Sequence, residues 1–132
     1  MHSLLRLTSA WLLVGLYASG IFVLSSLSHP PMVPAWESPH LDKLYHILEY
    51  GGLTFLLIRA LSLSCAARPS SSLALWAAAL AIAYGASDEL HQAFTPERTV
   101  SVYDLLADAT GAGVAAGVWL RRQRRRPVLV KS

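Results

Sequence analysis

The sequence predicts an all-α membrane protein, a bundle of four transmembrane helices with both termini cytoplasmic. Three observations carry that prediction. Of 132 residues, 54% are hydrophobic and only 14% are charged, whereas a soluble domain carries charge on about a quarter of its residues. The apolar residues fall in long blocks, not in the short periodic stripes of a water-soluble core. Lys and Arg concentrate in alternate inter-block segments, as short cytoplasmic loops do. The formal net charge of +3 and the pI near 9.4 do not mark a nucleic-acid binder. Much of the excess sits in one terminal run, Arg121, Arg122, Arg124, Arg125, Arg126 and Lys131. Basic residues directly after an apolar segment are the expected anchor to anionic headgroups. The bilayer is therefore an expected partner and nucleic acid is not. Cys65 is the only cysteine, so no intrachain disulfide forms.

A spanning helix needs about 20 apolar residues, because the hydrocarbon core is about 30 Å thick and each residue rises about 1.5 Å. The first span, Leu4 to Leu27, has no charge after Arg6. It is read as a retained helix, since its apolar block outruns a signal-peptide core, its basic leader is thin and no clear A-x-A site follows. Ser28 to His40 holds Pro30, Pro31, Pro34 and Pro39 and cannot continue a helix. The second span, Leu41 to Leu63, is polar at its start, with Asp42, Lys43, His46 and Glu49. Arg59 near its end is placed to snorkel to the interface. Ala66 to Ser72 is a turn, and Leu73 to Phe94 makes a third span that is polar at its end, with Asp88, Glu89, His91 and Gln92. After Thr95 to Thr99, the fourth span, Val100 to Leu120, carries Asp104 and Asp108 near its start. Residues 1–120 form the transmembrane domain and 121–132 a basic cytoplasmic tail. Arg6, Arg59, Arg68 and the tail mark the inside, so the first and third loops face out.

The polar residues share one membrane face. Asp42, His46, Glu49 and Tyr50 follow i, i+4, i+7, i+8, one stripe of a helix. Tyr84, Asp88, His91 and Gln92 form a second stripe flanked by Glu89, and Asp104, Asp108 and Gly111 form a third. Short loops make these helices neighbours, so the stripes of the last three helices meet in one pocket. The candidate catalytic residues are His46, Glu89 and Asp104. The candidate ligand-binding residues are Asp42, Lys43, Tyr50, Asp88, Gln92, Arg98 and Asp108.

Asp42-Lys43-Leu44-Tyr45-His46 leading to Tyr50, then Tyr84-Gly85, Asp88-Glu89-Leu90-His91-Gln92-Ala93-Phe94, Pro96, Arg98, Asp104 and Gly111 resemble the VanZ-like family of bacterial membrane proteins. The resemblance runs from Ser25-Ser26 through Gly111 and departs at Asp108, where family members usually have Asn. It implies a multi-pass protein of the bacterial cytoplasmic (inner) membrane with an association to low-level teicoplanin resistance. It supplies no agreed biochemical activity.

Several readings of these residues stay open at this stage. Asp42 and Lys43 serve equally as an N-cap and first-turn pair, and His46 as an interhelical hydrogen-bonding group. Glu89 and Arg98, with Asp104, suit a structural ion pair ordering the third loop. The serines of the first helix read as close-packing positions. His40, Asp42, His46, Glu89, His91, Asp104 and Asp108 offer ligands for zinc, but no diagnostic spacing is present and Arg98 opposes a cation. Neither a metal nor another cofactor is expected. A binding pocket for an envelope-related ligand or lipid-linked precursor is one functional expectation. The alternative is a hydrolase or transferase in which His46 or Glu89 moves a proton and Arg98 and Lys43 grip a phosphate or carboxylate. Ion transport would require polar residues to continue inward, and Gly51 to Ile58 is almost wholly apolar.

Overall fold

In the computed structural model the described residues are 2–27, 39–96, 98 and 100–125. They form four helices: α1 (His2–Ser25), α2 (Pro39–Ser64), α3 (Ser70–Gln92) and α4 (Val102–Arg124). The proline-rich first loop, residues 28–38, lies outside the described residues, as do Glu97 and Thr99. α4 packs against α2 and α3, and α2 also packs against α1 and α3, whereas α1 touches α3 lightly.

The helix ends follow local chemistry. Pro69 precedes α3, and Ser70, Ser71 and Ser72 form its first turn instead of extending the preceding loop. The third helix ends at Gln92, where the Phe94 N–H bonds the His91 carbonyl and the Thr95 N–H that of Gln92. α4 starts at Val102, not Val100, because the Ser101 side chain accepts from the Asp104 N–H at 3.3 Å. That N-cap satisfies one of the orphan amides of the first turn. At the other end α4 continues four residues beyond Leu120 into the basic run, whose cations suit a helix C-terminus.

Three helices, Ser3–Ser25, Leu41–Ser64 and Ser70–Gln92, are long and apolar enough to cross a membrane. α4 falls outside that group because Asp104, Asp108 and its terminal arginines lower its hydropathy. The outward surface is what lipid requires. Leu4, Leu12, Leu16, Leu48, Leu75 and Leu90 are all exposed, far more apolar side chain than a soluble monomer of this size presents. Thr8, Thr54 and Thr110 donate their hydroxyls to carbonyls four residues back, at 2.9, 2.8 and 2.7 Å. Such back-bonding satisfies a hydroxyl within its own helix.

The core is thin and built from small residues. α3 contributes Ala74, Ala77, Ala78 and Ala81 to a cluster with Ile21, Tyr50, Leu53, Leu57, Ile58 and Ala112. The buried stripe continues from Ala81 through Gly85 to Asp88 and Gln92, changing from apolar to polar along one helix face. The apolar half of the bundle thus fixes the helices whose polar halves make the site.

Candidate functional site at the polar end of the bundle

The polar ends of α2, α3 and α4 converge as the helical spacing predicts, and they resolve into three connected groups. The first joins α2 to α4. Lys43 Nζ donates to Asp42 Oδ2 at 2.7 Å and to Asp104 Oδ1. His46 Nδ1 lies 2.8 Å from Asp108 Oδ1, while His46 Nε2 lies 3.9 Å from Asp104 Oδ2. With Asp108 ionised, its carboxylate accepts and the ring proton sits on Nδ1. Nε2 is then free to accept a proton, or to face Asp104 as a donor once the ring is charged. Side-chain exposure falls from 32% at Lys43 to 12% at His46 and 1% at Asp108. Lys43 and His46 therefore lie nearer the surface, and Asp108 bonds His46 from below.

The second group ties in α1. Ser25 Oγ donates to Asp88 Oδ1 at 2.6 Å, and Gln92 Nε2 donates to Asp88 Oδ2 at 3.2 Å, so a buried carboxylate receives two neutral donors. Ser26 Oγ donates to the Phe22 carbonyl at 2.6 Å, so towards His91 Nε2, 3.0 Å away, it is the acceptor. Ser25 and Ser26 thus reach the polar ends of the other helices as hydrogen-bonding groups. Their signal in the sequence was their place at the end of the first span, level with the acidic end of the third.

The third group holds the α3–α4 connection. Glu89 Oε2 accepts from the Ser101 N–H at 2.8 Å. This buried carboxylate is thus tied to the N-cap residue of α4, which directly precedes a helix that α3 packs against. Arg98 lies in the connection, half-buried.

Tyr50 occupies the centre. It is 1% exposed, its ring lies parallel to His46 with centroids 6.4 Å apart, and the Tyr84 ring is 6.4 Å away and tilted by 40°. The Tyr84 hydroxyl donates to the Ala18 carbonyl at 2.7 Å, whereas the buried Tyr50 hydroxyl has no partner among the described residues. Gly85 makes this arrangement possible. A Cβ there would stand 2.6 Å from Asp108 Oδ2 and 3.1 Å from Tyr50 Cε1.

Asp42, His46 and Asp104 each bring one ligand atom within 4.8 Å of the others. The Lys43 ammonium already bonds both carboxylates of that set, so a divalent ion would have to displace it. His40, the remaining sequence candidate at the mouth, has no described side chain.

Asp108 gives a direct test of this wiring. Asn keeps an oxygen acceptor for His46 Nδ1, so Asp108→Asn is expected to melt like the wild type in detergent. Asp108→Leu strands the imidazole N–H and is expected to cost about 1–3 kcal/mol. Equal melting of the two variants would contradict the His46–Asp108 contact.

The family model described as VanZ/LLP1 matches residues 4–123, nearly the whole chain. No curated protein and no solved structure matches it.

Proposed function

The chain belongs to the VanZ/LLP1 family, and from that premise we propose that it is a four-span protein of the bacterial cytoplasmic membrane that binds a cell-envelope-related ligand in an outward-facing polar pocket. The observation that carries this reading is the Lys43–Asp104 and His46–Asp108 pairing at one end of the bundle. Ionisable groups in a spanning helix cost several kcal/mol and persist where they line a functional site. A lysine at the mouth and a histidine one turn deeper suit a ligand carrying phosphate or carboxylate, as lipid-linked envelope precursors do. By family association the phenotype is glycopeptide (teicoplanin) resistance.

α4 supports a fourth span despite its lower hydropathy. Its 23 residues reach about 35 Å at 1.5 Å per residue, enough to cross the hydrocarbon core. Asp104 and Asp108 are turned inward, while Val102, Leu106, Val114 and Val118 are exposed. Four spans with Arg68 and the basic tail inside put both termini in the cytoplasm. Reporters fused after Ser132 and after Arg68 are expected to read cytoplasmic, and reporters at Val33 and Glu97 to read outside. A cytoplasmic signal at Glu97 would overturn the four-span arrangement.

A second reading, hydrolysis or group transfer, is favoured by one feature. His46 stands between Asp108 on Nδ1 and Asp104 on the Nε2 side, the orientation that prepares an imidazole to accept a proton at Nε2. In this reading Lys43 and Arg98 hold the anionic group of the substrate and water or a substrate hydroxyl is the nucleophile. Glu89, whose Oε2 accepts from the Ser101 amide, is the second candidate acid or base in this reading. His46→Gln tests both readings through teicoplanin susceptibility: either predicts a change, and a purely structural His46 predicts none.

A further inference from the structure

The opposite end of the bundle carries a separate open cleft of about 410 Å³, lined by Arg6 of α1, Arg59, Ser62 and Leu63 of α2, and Trp119 of α4. Arg6 lies four residues past His2, the start of α1, and Arg59 five before Ser64, the end of α2. Trp119 lies five before Arg124, the end of α4. At 1.5 Å per residue all three sit about 6–8 Å inside their helix ends, the depth at which headgroups meet the hydrocarbon core.

The chemistry of this cleft is one-sided. No Asp or Glu lines it, and among the described residues neither Arg6 nor Arg59 has an acidic partner. The indole Nε1 of Trp119 is buried and has no acceptor among the described residues. The Trp119 ring is held edge-on by Phe55, with centroids 6.0 Å apart. Two arginines from different helices and a serine line one space that no carboxylate enters. A general basic anchor would not need two arginines from different helices at one cleft.

We infer that this cleft binds the phosphate of an anionic phospholipid, gripped by Arg6 and Arg59. Each guanidinium presents two parallel N–H groups to phosphate oxygens, and Trp119 supplies an amphipathic ring suited to the interface. The depth of the site and the exposed leucine beside it, Leu63, favour a phosphate attached to acyl chains over one from bulk water. The inference rests on the membrane reading of the helices and not on the polar pocket at the other end.

The test compares the full chain, purified in detergent, with phosphatidylglycerol, phosphatidylcholine and inorganic phosphate, read by native mass spectrometry and melting. Phosphatidylglycerol is expected to be retained and to raise the melting temperature. Arg6→Gln with Arg59→Gln is expected to cut that retention by about tenfold, as loss of a charge-assisted grip would. Arg122→Gln with Arg124→Gln, which removes the same charge from the tail, is expected to leave it intact, and so is His46→Gln. The single exchanges at Arg6 and Arg59 lower retention too and keep the test readable if the double variant melts early. Equal loss in the two double variants would mean general charge attraction and overturn the site. So would equal retention of phosphatidylcholine, or the same stabilisation by inorganic phosphate alone.

Discussion

Gly111→Val is expected to leave no folded bundle. Gly111 is where α4 crosses α2, with only a backbone between them. A Cβ built there would stand 2.9 Å from both the carbonyl carbon and the Cα of Ile47, and closer still to the Ile47 carbonyl oxygen. Backbone atoms cannot rotate aside as a side-chain tip does, so the helices have to separate. Separation breaks more than packing, because the crossing at Ile47 and Gly111 is next to His46 and about one turn from Asp108 and sets their 2.8 Å contact. Alanine at this position is expected to cost about 1–3 kcal/mol as an overpacked contact, and the β-branched valine more. Gly113, two residues on, is the control: nothing lies within 4 Å of a Cβ there, and Gly113→Ala is expected to melt like the wild type. Size-exclusion profiles and melting curves in detergent check both. Wild-type behaviour of Gly111→Val would contradict the α2–α4 crossing.

The long apolar blocks made the helices legible in the sequence, because membrane spans are signalled by length and composition and not by periodicity. The ends were less legible. Ser70–Ser72 looked like loop by composition but supplies the first turn of α3, and the Ser101-x-x-Asp104 cap moved the start of α4 by two residues. The stripes Asp42–His46–Tyr50 and Asp104–Asp108–Gly111 were readable from helical spacing alone, and they do face each other. Spacing could not assign partners. Glu89 takes a backbone amide of the next helix, a donor that every residue but proline carries and that no motif announces. Ser25 and Asp88 are 63 residues apart, and their pairing depends on how α1 leans on the bundle. The Arg6, Arg59 and Trp119 cleft was hidden for the same reason, since each residue alone reads as an ordinary interfacial anchor.

His46→Gln is the second change with a large expected effect, and it acts on function while sparing the fold. Glutamine has similar reach and an amide that can donate to Asp108, so the buried carboxylate keeps a partner and melting is expected to stay near the wild-type value. What glutamine lacks is a group that exchanges a proton near neutral pH and a ring that stacks on Tyr50. Lys43, still paired with Asp104, remains to attract the ligand, so the loss is assigned to His46 itself. Binding and acid/base chemistry at His46 both require the ring where it stands, half-way between the mouth and Asp108.

The measurement that tests the central claim most directly is teicoplanin susceptibility of cells carrying the wild-type chain or His46→Gln at matched membrane levels. The functional pocket predicts that the wild type lowers susceptibility and that His46→Gln abolishes the effect with melting unchanged. Full retention of the wild-type effect by a folded His46→Gln chain would contradict a functional role for His46 and leave the polar cluster as a structural brace.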